Sequence, residues 1–132
     1  MAASLAFDTP DLAARVEALS PAEQDALPFG VIELDRNNVV LVYNATESRL
    51  SGYGKPIGKD FFEVSRSPNK EELKARIVRA IESGNADLDF GWIGGLGKAE
   101  RELRMRIQSS RRGGVWLFIE RDEGKPRQAR AS

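Results

Sequence analysis

Tyr43 and Glu47 stand four residues apart, so in a helical or near-helical segment a phenol and a carboxyl face the same way. Such a pair could hold the polar head of a buried ligand, or exchange a proton with it in isomerase-like chemistry. The same residues admit a plainer role. Asn44-Ala45-Thr46-Glu47 has the form of a capping box, in which Glu47 does no more than close a helix start, worth roughly 1 kcal/mol. Spacing alone leaves both readings open. Little else in the chain offers chemistry. The absence of cysteine excludes disulfides, thiolate metal sites and cysteine nucleophiles. The absence of histidine removes the commonest base, metal ligand and haem ligand, and no metal site is expected. Gly94-Gly95-Leu96-Gly97 is no phosphate loop, because it leads into a strand pattern and lacks the following Lys-Ser/Thr.

The elements that must position Tyr43 and Glu47 are legible from punctuation and periodicity. Asp8-Thr9-Pro10-Asp11 offers a cap and a helix-start proline before Leu12, Val16 and Leu19 at helical spacing. Ser20-Pro21-Ala22-Glu23 is a capping box that opens a second short helix running to about Leu27. Strands over 31–34 and 39–43 flank Asp35-Arg36-Asn37-Asn38 as a hairpin. A short helix over 44–51 ends at Gly52, a further turn covers 61–64, and Asn69 caps a longer helix that Gly84 terminates. Alternation then predicts two strands, around Leu88-Phe90-Trp92 and Leu103-Met105-Ile107, and the turn Arg111-Arg112-Gly113-Gly114 leads into a third over the apolar run 115–119. The pattern predicts an α+β fold, a five-stranded antiparallel sheet with its helices grouped between strands two and three. Residues 1–26 form an N-terminal helical cap, 27–121 the core and 122–132 a flexible polar C-terminal tail.

Composition narrows the function classes. With 132 residues the chain fits one domain, and its 41% apolar and 30% charged content is globular. Twenty basic residues against 20 acidic ones give no general attraction to nucleic acid or an anionic membrane, and Arg111-Arg112 is too small for a nucleic-acid footprint. The first residues lack a basic, apolar leader, and no apolar run approaches membrane-spanning length. A soluble cytoplasmic protein without membrane insertion is the expectation.

Three further groups carry two readings each. Phe61-Phe62 either floors a ligand cavity, with Phe62 as a lining residue, or belongs to the core. Trp92, Trp116 and Phe118 either present a face to a partner protein or pack beneath the N-terminal helices. Glu100, Glu102, Arg104, Arg106 and Gln108 share one side of a strand and are expected to be a solvated face with cross-strand ion pairs.

Phe29-Gly30-Val31-Ile32-Glu33-Leu34-Asp35, with Val42-Tyr43-Asn44-Ala45 and Ile57-Gly58-Lys59-Asp60-Phe61-Phe62, resembles the first half of a PAS sensor domain. Within that superfamily it is most similar to the photoactive yellow protein family. The resemblance covers residues 27–62 closely, continues at Ser83-Gly84-Asn85 and returns at Trp116-Leu117-Phe118-Ile119. It implies that Tyr43 and Glu47 are the pair that hydrogen-bonds a buried phenolate, with Ser51 in support and Leu96 in the loop that closes over it. Tyr53 stands where the family has a gating arginine, and Ser65-Arg66-Ser67-Pro68 where its anchoring cysteine is expected. That family tethers its chromophore as a cysteine thioester, so no covalent cofactor is expected here. Phe7 lies in the segment similar to the family's N-terminal cap, and with Trp116 and Phe118 it is a candidate partner-binding residue.

The functional expectation is a non-photochemical bacterial sensor or regulator, with an unidentified noncovalent small molecule in its pocket and signalling by protein–protein contact. The alternative is a ligand-free PAS adaptor that binds a signalling protein such as a histidine kinase. No effector domain is visible within these residues, which makes an interaction role part of both, and a homodimer is compatible with either. An acid–base enzyme using Glu47 and Tyr43 is the remote third reading.

Overall fold

The computed structural model describes residues 5–52, 54–64, 70–94 and 101–121. Ten elements follow in order: α1 (Leu12–Glu17), α2 (Pro21–Asp25), β1 (Gly30–Leu34), β2 (Val40–Tyr43), α3 (Ala45–Ser51), α4 (Phe61–Val64), α5 (Lys70–Ser83), β3 (Asp87–Gly94), β4 (Arg101–Ser109) and β5 (Val115–Arg121). The strands form one sheet in the order β2-β1-β5-β4-β3, with every described pairing antiparallel. The fold class, the strand count and the helices between strands two and three agree with the sequence pattern.

Local starts and stops follow capping chemistry. Ser20 accepts from the Glu23 amide while the Glu23 carboxylate accepts from the Ser20 amide, a complete capping box with Pro21 at the first helical position. Gly52, at φ 83°, ends α3 in the left-handed conformation that a Cβ would disfavour. At α1 the sequence reading needs correction. The helix begins at Leu12, after Pro10 rather than with it, and Asp11 caps it at φ 54° without a side-chain hydrogen bond. Val39 likewise leaves β2 and makes a lone bridge to Asp60, because the segment 58–60 covers that sheet edge with bonds to both backbone groups of Val40. The capping role expected of Asn69, the turn at 95–97 and the tail 122–132 lie outside the described residues.

Strand alternation separates two cores. Ile32, Leu34, Leu103, Met105, Ile107, Leu117 and Ile119 face the helices, where Phe61, Phe62, Leu73, Ile77 and Trp92 complete the larger cluster. Val31, Trp116 and Phe118 face the other way and are covered by Phe7, Leu12, Val16, Leu27 and Phe29. The segment around Phe7 and α1 therefore lie on the sheet face opposite the other helices, while α2 buries no residue there. Phe61 and Phe62 are core residues in edge-to-face contact, 5.1 Å between centroids. Trp92 does not join Trp116 and Phe118: it is in the helix-side cluster, because its place in β3, opposite Leu103, puts it on that face.

Candidate functional site

On the helix face, Tyr43, Glu47 and Ser51 stand at the junction of β2, α3 and the end of β5. Asn44 builds the junction. Its side-chain oxygen accepts from the amides of Val31 and Glu47, and its Nδ2 donates to the carbonyls of Gln24 and Phe29. This buried amide fixes the start of α3 against β1 and against the end of the N-terminal segment, using its full bonding capacity. Thr46 adds a bond from its hydroxyl to the Leu27 carbonyl.

Tyr43 and Glu47 are both buried on this junction and have different described partners. The Tyr43 hydroxyl lies 2.8 Å from Ser51 Oγ, at the last residue of α3. The Glu47 carboxylate accepts two bonds from the Arg121 guanidinium, at 2.6 Å from Nη1 and 3.0 Å from Nη2. This fork-to-fork pairing uses both oxygens and is the strong form of a charge-assisted bond. Its side chains are 17% exposed for Arg121 and 4% for Glu47, so solvent screens the pair weakly. The expected capping box is thus half formed: Asn44 caps the Glu47 amide, but the Glu47 side chain goes to β5 instead of returning to Asn44. Gly30 permits this. A Cβ there would overlap Glu47 Oε1 and stand 3.1 Å from its Cδ.

Sequence reasoning did not single out Arg121. Its signal was its place in the alternation, since Val115, Leu117 and Ile119 point to the helix face and Arg121 continues that row. Of the other candidates, Phe62 packs in the helix-side core, while Tyr53, Leu96 and the stretch 65–68 lie outside the described residues.

The cap face carries the candidate partner residues, and all three are covered: Phe7 is 4% exposed, Trp116 2% and Phe118 0%. Trp116 and Phe118 stack nearly parallel, and Phe29 stands edge-on to both Phe118 and Phe7. The β4 side of this face overturns the expectation of a solvated strip. Arg106 and Gln108 are buried, because the N-terminal segment lies across them. Arg106 Nη1 donates to the carbonyls of Phe7 and Thr9, and Gln108 accepts from the Ala13 amide while donating to Asp87. Arg104 keeps the expected character, bridging Asp8, Asp89 and Glu120 at the surface. Its guanidinium is held above its ordinary range, first by the hydrogen bond to Asp8 and then by Asp89, against a desolvation cost. Glu17 adds another tie, accepting from Trp116 Nε1 and the Arg111 amide. At the hairpin, Arg112 pairs with buried Glu33, and that bond raises the arginine likewise.

No family model matches the chain. The photoactive yellow protein of Rhodothalassium salexigens is 26% identical over 119 residues, spanning 87% of this chain and 95% of that protein. Among solved structures, the photoactive yellow protein domain of the sensor histidine kinase Ppr from Rhodospirillum centenum superposes with a TM-score of 0.74 at 32% identity, covering 82% of this chain and 98% of that domain. The PAS domain of the Cronobacter turicensis quorum-sensing receptor RpfR, solved in complex with BDSF, shares the fold at a TM-score of 0.59 and 15% identity, over 73% of this chain and 94% of that one. Sheet order, helix placement and these likenesses define a PAS domain, a class found in sensor proteins. The chain belongs to the photoactive yellow protein family, and it lacks that family's chromophore-anchoring cysteine.

The residues present do not fit the family's thioester-bound chromophore. No thiol exists to form the ester, and the carboxylate that the resemblance assigns to the phenolate is occupied by a guanidinium. Among the described residues no acidic cluster is arranged to hold a metal ion, and no helix is long and apolar enough to cross a membrane.

Proposed function

We propose that this domain is a non-photochemical sensor of the bacterial cytoplasm that passes its signal on by protein contact and takes a noncovalent small molecule on the helix face as input. The observation that carries the reading is the Glu47–Arg121 pair in a chain without cysteine: the family's polar site is retained but rewired from a phenolate to an internal cation. The RpfR PAS domain in its complex with BDSF supports a small-molecule role for the fold, and the Ppr domain, part of a sensor histidine kinase, supports a kinase-type partner. Tyr43, Ser51, Tyr53, Phe62 and Leu96 are the ligand contacts in this reading, with Glu47 held ready by Arg121. Acid–base catalysis draws no support from a carboxylate whose two oxygens both accept from a guanidinium.

The ion pair also favours a second reading, a ligand-free adaptor, since it satisfies the polar groups that a ligand head would otherwise satisfy. Native mass spectrometry of freshly purified protein separates the two. A retained small molecule is expected for the sensor, and bare protein mass hands the domain to the adaptor reading. Incubation with activated p-coumarate should leave no mass increment after denaturation; a stable adduct would overturn the non-photochemical assignment.

The output element in this proposal is the N-terminal cap, residues 1–26, docked on or released from the core. Phe7, Leu12, Val16 and Leu19 hold it by apolar contact, each burial being worth roughly 1.5–3 kcal/mol against the cost of ordering the segment. Release uncovers Trp116 and Phe118 as an apolar patch for the partner. Hydrogen exchange is expected to show weaker protection over residues 8–26 than over β4 and β5, and further loss on partner or ligand binding. Equal protection that nothing changes would leave the cap a fixed part.

A further inference from the structure

The segment before α1 is bound as a peptide would be. Residues 6–9 form a turn, closed by the Thr9 amide on the Ala6 carbonyl and the Ala6 amide on Thr9 Oγ1, with Phe7 and Asp8 at its centre. The Phe7 ring enters a slot between Phe29 and Arg104, 5.7 Å from the first ring centroid and 5.0 Å from the guanidinium carbon. Asp8 pairs with Arg104 at 2.9 Å, and the carbonyls of Phe7 and Thr9 accept from Arg106 at 2.6 and 2.9 Å. Two guanidiniums and an aromatic wall thus read an aromatic–acidic turn.

The fit is incomplete at one atom. Arg106 is 7% exposed, its described partners are two neutral carbonyls, and its Nε is buried with no hydrogen-bond partner. Its cross-strand neighbour Asp89 bonds to Arg104 instead, so the buried Arg106 guanidinium bears its desolvation cost without the counter-charge of a carboxylate in direct contact. A carboxylate set against Nε and Nη would supply that charge and satisfy the orphan donor in the side-on geometry that arginine favours.

We propose that this groove, formed by Phe29, Phe118, Arg104 and Arg106, is a docking site for a short aromatic–acidic segment of a partner protein, and that the chain's own Phe7-Asp8 turn occupies it as a weaker resident. Displacement requires release of the residues before α1 only. The proposal rests on the reading that the domain signals by protein contact, and names the chemistry of the contact. Charge complementarity commits the occupant: a partner with an aromatic residue followed by two acidic ones gives Arg104 and Arg106 a carboxylate each, where the resident turn supplies one.

The test uses the full chain and a fluorescein-labelled hexapeptide, Leu-Ala-Phe-Asp-Glu-Pro, read by anisotropy. Phe7→Ala loosens the resident and should bind the peptide about tenfold more tightly than the unaltered chain, because the competent fraction rises. A peptide with alanine in place of phenylalanine should bind neither, and raised salt should weaken the cognate peptide. Binding by Phe7→Ala that ignores the aromatic residue, or no binding while its circular dichroism matches the parent, overturns the proposal. So does a dimer of either chain by native mass spectrometry that the peptide cannot dissociate, which would make a second copy the occupant. Should Phe7→Ala not fold, Phe7→Leu carries the same comparison. A negative search for a helix-face ligand leaves these outcomes unaffected, since the groove is on the opposite face.

Discussion

The two faces of the sheet bury cations in opposite ways. On the helix face Arg121 meets Glu47 through two parallel bonds, within a junction where Asn44 satisfies every polar group it reaches. On the cap face the described hydrogen bonds of Arg106 go to backbone carbonyls, its cross-strand neighbour Asp89 bonds to Arg104, and its Nε is left without a partner. A compensated buried pair is costly to break from either side, whereas an uncompensated one favours any change that brings water or an anion to it. The contrast teaches where polar bonding is complete and where it is not. The helix-face pair is closed on itself, and the cap face is an interface with a segment laid on it.

The largest expected effect tests that distinction with one residue type. Phe118 is fully buried in β5, and Phe118→Ala leaves a cavity that the sheet cannot close, costing about 3–5 kcal/mol. Phe7 is nearly as buried, yet Phe7→Ala should cost only about 1–2 kcal/mol, because the segment can lift away and regain backbone freedom. Urea unfolding of the two variants decides it. Equal losses would make the N-terminal segment as integral as a strand and erase the contrast between the faces.

Next in size is the ion pair. Arg121→Ala strands a buried carboxylate and should destabilise by roughly 3 kcal/mol, at the low end for a buried pair because Arg121 retains some exposure. Replacing both partners by apolar residues, Glu47→Leu with Arg121→Met, should recover most of that loss in the same unfolding assay. A double variant as unstable as the single one would mean that the pair is integral to the packing rather than a replaceable charge bridge.

Gly30→Ala follows. The added Cβ collides with Glu47 Oε1, so the carboxylate must swing off Arg121 or β1 must shift, an overpacking cost of about 1–3 kcal/mol. The cost should vanish when Glu47 is shortened: Gly30→Ala combined with Glu47→Ala should be no less stable than Glu47→Ala alone, by thermal melting. Additive losses would place the strain in the β1 backbone and not at the pair.

Most of this architecture was legible beforehand, and the exceptions share a cause. Alternation in β3 and β4 showed which residues share a face, and the Ser20–Glu23 box and Gly52 stop came directly from side-chain chemistry. Alternation cannot say what covers a face. Arg106 and Gln108 carry the polar pattern of a solvated strip, and only the segment around Phe7, about a hundred residues earlier in the chain, turns it into an interior. The same limit applied to the site. Spacing pairs Tyr43 with Glu47 and the resemblance adds Ser51, while Arg121 reaches Glu47 from a distant strand that no local spacing connects to it.

The smallest expected effect concerns the rim of the cap face. Asp8 and Arg104 form an exposed pair, and Arg104 also reaches Asp89 and Glu120, so it keeps counter-charges when Asp8 is lost. Asp8→Asn should therefore cost only about 0.5 kcal/mol, and the difference from the parent should disappear in molar salt, where surface charges are screened within a few ångströms. The sign with pH is also fixed. A guanidinium raised above its ordinary range stabilises at every pH below that range and is lost only as pH climbs through the raised value. Titration of Arg104 thus adds no slope to the stability of parent or variant anywhere near neutrality. A difference of several kcal/mol, or one that survives molar salt, would mean that Asp8 is anchored in the groove as firmly as Glu47 is anchored to Arg121, and that the cap face is as closed as the helix face.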